Sequence, residues 1–252
     1  MTGLSRCLYC TRRTSPADGL AHAFPECIGK NDSTLPEGAV CGPCNGYLGS
    51  KLESQLVRYP QIALSIQMAG LPGKSGVPRK ELGGIESGKA HGEEWSFRMG
   101  IPRPSIADGP DGTSQLVVEV PPGKGFSFLR FRRAIHKIAL ESLALQEGLE
   151  YVRSPEFAAA RTYIKNPKPA DLSWGFAEAP SGGPRPMHAV YFESGLREIV
   201  GVNILGTLFV VDLRNSGDLG ALAVQQSVNF YGPEVREVPV LRLFAEGKRV
   251  TE

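Results

Sequence analysis

An α+β fold is predicted for this chain of 252 residues, in which a small zinc-stapled module precedes a larger mixed domain of two helices and an antiparallel sheet. Three observations predict it. Four cysteines form two close pairs before residue 45, a long stretch after residue 125 has helical periodicity, and short apolar runs separated by glycines follow that stretch. The predicted division is 1–68 for the module, 69–125 for a Gly/Pro-rich linker or insertion with short strands, and 126–252 for the α+β domain.

The composition is that of an ordinary globular protein. Hydrophobic residues make up 41% of the chain and charged residues 21%, so a packed core is expected. The net charge of +2 gives no overall field that would drive the protein to nucleic acid or membrane. The absence of a run of eighteen apolar residues predicts no membrane span. No apolar signal region precedes the first cysteine, which predicts a cytoplasmic protein.

The cysteine pairs predict one structural Zn²⁺ site. Two residues separate Cys7 from Cys10, and two residues separate Cys41 from Cys44. This spacing lets both thiolates of a pair reach one ion, and two pairs complete a tetrahedral shell of sulfur ligands. Two disulfides are disfavoured in a reducing compartment, and a redox-active CxxC is disfavoured because there are two such pairs. The fifth cysteine, Cys27, is expected to be a small buried thiol.

Two polar residues inside and just after the cysteine pairs are candidates for chemistry. His22 opens the stretch His22-Ala23-Phe24-Pro25, and Asn45 directly follows the second pair. Each has an ordinary structural interpretation, since a histidine before Phe-Pro is often a core or turn residue and Asn-Gly is a common turn or cap. The combined order of CxxC, His-x-x-Pro and CxxCN is more specific than any one of these motifs.

This arrangement resembles the HNH endonuclease family, in particular the branch whose ββα-metal core is stapled by two CxxC pairs. The resemblance covers about residues 5–58. It implies a metal-dependent endonuclease that hydrolyses phosphodiester bonds in double-stranded DNA. By position, His22 is implied as the general base and Asn45 as a ligand of a catalytic Mg²⁺ or Mn²⁺.

The residue before the histidine departs from the family pattern. Relatives carry a metal-binding carboxylate or imidazole there, whereas Ala21 has a methyl group that coordinates nothing. Two interpretations follow. A nearby acid such as Glu26, Asp32 or Glu53 supplies the missing oxygen, or the module keeps the fold and binds nucleic acid or a partner protein without cleavage.

Basic side chains are the candidate contacts to phosphate. Residues 121–168 contain nine Lys or Arg and four acids, and a phosphate backbone is a natural partner for such an excess. On the helix predicted over 126–147, three basic residues recur at spacings of three and four, although a solvated helix face would have the same pattern. The predicted nucleic-acid contacts are Arg12, Arg13, Lys30, Lys51, Arg130, Arg133 and Lys137.

The remaining elements follow from periodicity and turn residues. Helices are also predicted at 46–68, with a break at Pro60, and at 155–164. Strands are predicted at 94–99, 115–120, 187–192, 198–204, 207–213, 222–230 and 238–244. His136 is expected to be a packed histidine. The C-terminal domain shows no catalytic constellation, so we expect it to grip nucleic acid or to mediate assembly with a second copy or a protein partner.

Overall fold

The computed structural model describes residues 6–29, 32–71, 81–82, 85–89, 95–99, 105–108, 114–117, 122–167, 174–179, 188–193, 196–231, 242–245 and 248–250. These residues form a mixed structure of helices and antiparallel sheets, which confirms the predicted α+β class. Within these ranges, no helix has the length and apolar character needed to cross a membrane.

The helices and strands of the described residues have the following bounds. The α-helices are α1 (Gly42–Tyr47), α2 (Pro60–Met68), α3 (Phe128–Glu147), α4 (Leu149–Arg153), α5 (Ala158–Lys165) and α6 (Leu219–Tyr231). The strands are β1 (Glu81–Leu82), β2 (Ile85–Lys89), β3 (Trp95–Met99), β4 (Ser105–Asp108), β5 (Ser114–Val117), β6 (Phe176–Ala179), β7 (His188–Glu193), β8 (Leu196–Ile204), β9 (Thr207–Asp212), β10 (Arg242–Ala245) and β11 (Lys248–Val250).

The N-terminal module contains two short antiparallel segments followed by a helix. His22 and Thr34 form an antiparallel bridge. On either side of it, the Ala23 N–H donates to the Ser33 carbonyl at 2.8 Å and the Leu35 N–H donates to the carbonyl of residue 21 at 2.8 Å. Helix α1 comes next, and the chain continues through irregular helical turns at 48–58 to α2, which begins at Pro60 because proline is favoured in a first helical turn.

A six-stranded antiparallel sheet forms the C-terminal part, with the strand order β11-β10-β6-β9-β8-β7. Because side chains alternate along a strand, the sheet has two apolar faces. Val200, Val202 and Ile204 of β8 face the large core shared with α3. Ile199, on the other face, joins a smaller cluster that α6 covers through Ala223. The sheet is therefore a layer between helices.

Helix α3 is the central element of the molecule. It begins after Ser127, whose hydroxyl accepts a hydrogen bond from the Arg130 N–H, and ends at Gly148, where a φ of +92° suits glycine. Every residue from 131 to 144 is buried. The helix predicted at 126–147 is thus confirmed, but it is covered on all sides.

One hydrophobic core extends across the predicted domain boundary. Leu48 and Leu56, which follow α1, belong to the same buried cluster as Phe131 and Ile135 of α3. The ring of Tyr59 stacks on Phe131 with centroids 4.1 Å apart. The regions 1–68 and 126–252 therefore stabilise each other.

The strand predicted at 222–230 is wrong, because α6 occupies this stretch. Asp218 caps the helix by accepting hydrogen bonds from the N–H groups of Gly220 and Ala221 at 2.9 and 3.3 Å. Strand β6, in the interior of the sheet, was not predicted, since four residues carry too little periodicity. Parts of the predicted strands, at 94, 118–120, 187 and 238–241, lie outside the described residues.

Candidate functional site

The four cysteine sulfurs converge at one point. The Sγ atoms of Cys7, Cys10, Cys41 and Cys44 all lie within 4.8 Å of one another, and those of Cys10 and Cys41 are 3.5 Å apart. All are free thiols. In a tetrahedral Zn²⁺ site with bonds of about 2.3 Å, the sulfurs lie roughly 3.8 Å apart. The donor set therefore fits a metal ion such as zinc.

Local chain geometry supports metal binding by these sulfurs. The Tyr9 N–H donates to the Cys7 Sγ at 3.5 Å, an interaction that stabilises a thiolate. Burial raises the pKa of the Cys41 and Cys44 thiols. For Cys10, burial alone would raise the pKa, but hydrogen bonds from Arg12 and the other cysteines lower it. A cation would compensate the cost of buried thiolates, because it coordinates the deprotonated form.

His22 lies on the first of the two antiparallel segments, with a side chain that is 26% exposed. Its Nε2 is 3.8 Å from an oxygen of Glu26, and its Nδ1 is 3.5 Å from the Thr34 hydroxyl. Both ring nitrogens thus face oxygen atoms near the surface. An imidazole in this position can exchange a proton with a bound water or substrate.

Asn45 connects helix α1 to the His22 segment. Its side-chain N–H donates to the main-chain carbonyl of Leu20 at 3.1 Å, two residues before His22. The side-chain carbonyl oxygen remains as an acceptor or as a neutral ligand for a cation. The structure therefore brings the second cysteine pair, Asn45 and the His22 segment together.

The oxygen atoms available near the His22 ring depend on the burial of residue 21 and on the partners of the nearby acids. Ala21 is 5% exposed and belongs to the hydrophobic core, whereas the adjacent His22 side chain reaches the surface. Glu53 forms an ion pair of 2.9 Å with Lys137. Glu26, in contrast, lies beside the His22 ring and is about half exposed. Glu26 is therefore placed to act together with His22, whereas Glu53 is paired with Lys137.

The predicted basic face of α3 is wrong at two of its three positions. Arg133 is 4% exposed and Lys137 is 1% exposed, so nucleic acid does not reach them. Their spacing places them on one face of α3, but sequence spacing does not show which other elements cover that face. The predicted contacts that are exposed are Arg12, Arg13, Lys51 and Arg130. Lys30 lies outside the described residues.

Arg133 connects α3 with the end of another helix and with the module. Its guanidinium donates to the Ile164 carbonyl at 2.7 and 3.0 Å and to the Lys165 carbonyl at 3.0 Å, where α5 ends. A cation at a helix C-terminus satisfies the last carbonyls and the helix dipole. The same guanidinium donates to the Tyr47 hydroxyl at 2.9 Å, which attaches α1 to α3.

Lys137 binds the segment that carries His22. Its Nζ donates to the His22 carbonyl at 2.5 Å and lies 3.3 Å from the Ala23 carbonyl. The same atom is 2.9 Å from carboxylate oxygens of both Glu53 and Glu141. Burial alone would lower the pKa of Lys137, but the two carboxylates raise it, so the amine is charged.

Glu141 extends these contacts to the first cysteine pair. It is fully buried, and its second oxygen accepts a hydrogen bond of 2.7 Å from the hydroxyl of Tyr9, which lies between Cys7 and Cys10. Burial raises the pKa of Glu141 to about 7, while Lys137 and the Tyr9 hydroxyl act in the opposite direction. Sequence analysis missed Tyr9 and Glu141, and the available signal was the spacing of four between Lys137 and Glu141.

His136 is a packed histidine, as predicted. Its Nδ1 lies 2.8 Å from the Arg132 carbonyl, and its ring contacts Tyr163 and Trp174 edge-on at 5.1 and 5.5 Å between centroids. Burial lowers its pKa to about 4. It is therefore neutral at physiological pH.

No protein-family model matches this sequence, and comparison with curated proteins and with solved structures gives no significant match.

Proposed function

We propose that this chain is a metal-dependent endonuclease of the HNH type that hydrolyses phosphodiester bonds in DNA. The observation that carries the proposal is the hydrogen bond between Asn45 and the Leu20 carbonyl, which joins helix α1 to the segment of His22. Two antiparallel segments followed by a helix, with the cysteine cluster beside them, is the order that the ββα-metal core has.

The zinc ion in this proposal is a structural staple. The four cysteine thiolates would complete a tetrahedral shell around zinc and would leave no open position for water or substrate. The ion would hold the first cysteine pair against the start of α1 and so fix the ends of the segment that contains His22. Chemistry therefore belongs to the neighbouring oxygen and imidazole groups.

A divalent cation, Mg²⁺ or Mn²⁺, would be held by the side-chain oxygen of Asn45 and by the carboxylate of Glu26, which would replace the ligand that Ala21 lacks. When bound, it would neutralise charge on the scissile phosphate. His22 would take the proton of the attacking water, since its ring is partly exposed and held between Thr34 and Glu26. The exposed Arg12, Arg13 and Lys51 would contact neighbouring phosphates.

Plasmid cleavage tests the proposal. Zinc-loaded protein incubated with supercoiled plasmid and Mg²⁺ or Mn²⁺ is expected to produce nicked or linear DNA. His22→Ala is expected to lower the rate by about 100-fold or more, the usual contribution of a general base. Glu37→Ala, at an exposed position between the two cysteine pairs, is the matched control and should cleave as wild type does. Intact plasmid with the wild-type protein under both cations would overturn the proposal.

The buried Ala21 favours a second candidate function, a degenerate HNH fold that binds nucleic acid without cutting it. Under this alternative, DNA is retarded in a gel but stays intact, and His22→Ala changes nothing. Glu26→Gln separates the two further. If Glu26 replaces the missing ligand in a nuclease, the variant cleaves more slowly and requires a higher Mg²⁺ concentration. If the protein only binds DNA, the variant keeps the wild-type affinity for DNA.

A further inference from the structure

Lys137 lies where helix α3 meets three parts of the N-terminal module. Its amine contacts Glu53, in the turns that extend α1, and the main-chain carbonyl of His22. Its partner Glu141, one helical turn further along α3, accepts a hydrogen bond from Tyr9 inside the first cysteine pair. The side chains of Lys137 and Glu141 are almost completely buried, so water does not compete for these bonds.

The register of the antiparallel pair explains why the His22 carbonyl is free to bind a lysine. The two hydrogen bonds of the pair use the Ala21 carbonyl and the Ala23 N–H. His22 and Thr34 are therefore a non-hydrogen-bonded pair, in which the main-chain groups point away from the partner segment. Lys137 donates to this outward carbonyl and acts in place of a third strand.

We propose that Lys137 is a positioning residue for His22, and that the contacts from Tyr9 through Glu141 to Lys137 connect the first cysteine pair to the segment that carries the candidate general base. The proposal rests on the role proposed above for His22. A lysine that only neutralised Glu53 and Glu141 would need no contact with the carbonyls of the His22 segment. The C-terminal half of the chain thus completes the site in the N-terminal module.

Two variants of the full, zinc-loaded chain test this role, a triple variant at Lys137 and its two carboxylate partners, and Tyr9→Phe. Lys137→Met alone leaves the fully buried Glu141 and the partly buried Glu53 without a cation and is expected to destabilise the fold. The triple variant K137M/E53Q/E141Q removes the three charges together and takes away the donor to His22. Tyr9→Phe is the milder change, because it removes only the hydroxyl that binds Glu141. Arg133→Met is the matched control, since this residue binds Tyr47 and α5 rather than the His22 segment.

The first measurement is the imidazole Cε1–Hε1 resonance of His22, identified by its loss in His22→Gln. We expect its chemical shift to change in the triple variant, to change less in Tyr9→Phe, and to be unchanged in Arg133→Met. The zinc content should be equal in all of these proteins. An unmoved resonance in a folded triple variant overturns the proposal, as does an equal movement in Arg133→Met. If the triple variant does not fold, an unmoved resonance in Tyr9→Phe overturns it.

The second measurement is plasmid cleavage by the same proteins. Misplacement of the base is expected to lower kcat by about 10- to 100-fold in the triple variant, with KM for DNA unchanged. An unchanged kcat in that variant overturns the positioning role even if the wild-type protein cleaves. A wild-type protein that leaves plasmid intact removes the proposed function instead, and the His22 resonance then still decides whether Lys137 positions this side chain.

Discussion

At the scale of single residues, burial rather than identity decides what a position can do. Ala21 precedes the candidate base, where a metal ligand is expected, yet its side chain lies in the core beneath the antiparallel pair. A carboxylate introduced there would be buried without a partner instead of reaching a cation beside His22. Glu26 reaches the His22 ring from the surface side, which makes it the better candidate ligand.

Ala21→Asp is therefore expected to destabilise the protein instead of raising its activity. An unpaired buried carboxylate costs several kcal/mol, so we expect a loss of about 2–4 kcal/mol in the free energy of unfolding. Urea unfolding measures this loss. Ala17→Asp, at an exposed position of the same module, is the control and should change stability by less than about 0.5 kcal/mol. Unchanged stability together with faster cleavage would contradict the placement of Ala21.

His136 predicts part of the acid sensitivity of the fold. Its pKa is lowered to about 4 in the folded protein, against about 6.5 in the unfolded chain. Between these values the unfolded chain binds a proton that the folded protein does not, so stability falls as the pH is lowered from about 6.5 to 4. The fall amounts to about 3 kcal/mol.

His136→Phe removes this group while keeping an aromatic ring between Tyr163 and Trp174. Urea unfolding at several pH values should show a flatter dependence below pH 6.5 in the variant than in the wild type. Protonation of the cysteine site at low pH affects both proteins equally, so the difference between their slopes isolates His136. Equal slopes would contradict the assignment.

At the scale of elements, the four cysteines bring the first cysteine pair and α1 together. Cys44→Ser is expected to lose the bound metal and the packing of the module, because structural zinc supplies about 10–16 kcal/mol to the folding of small zinc-binding peptides. Metal analysis and thermal unfolding measure the two effects. Cys27→Ser is the control: its thiol donates to the Glu53 carbonyl and is not one of the four converging sulfurs. Equal zinc content in the two variants would contradict the proposed ligand set.

The elements that the sequence predicted well are those with a long, regular pattern. Helix α3 and strands β7 to β9 follow from periodicity, and the cysteine pairs follow from spacing. The same α3 pattern placed Arg133 and Lys137 on a shared face but could not show that α5 and the module cover it. Strand β6 is too short to give a periodic signal, and the apolar stretch of α6 predicts a strand although Asp218 is a helix cap.

At the scale of the whole molecule, the buried basic residues of α3 connect this helix to other parts of the chain. Lys137 binds two carboxylates and the His22 segment, and Arg133 binds the end of α5 and Tyr47. A positive excess that the sequence assigned to a nucleic-acid surface is thus partly internal. Under the proposed function, DNA would meet the exposed basic residues of the module and Arg130, while the interior cations fix the geometry of the site.

The shared core leads to a last prediction, that residues 1–71 alone do not fold, even with zinc. In the full chain, Leu48, Leu52 and Leu56 pack against α3, and Tyr59 stacks on Phe131. In the fragment, this apolar surface faces water, and Glu53 loses its ion pair with Lys137. With one equivalent of Zn²⁺, the fragment should bind metal through its cysteines yet show no cooperative thermal transition, whereas the full chain shows one. A well-dispersed amide spectrum of the fragment would contradict this prediction.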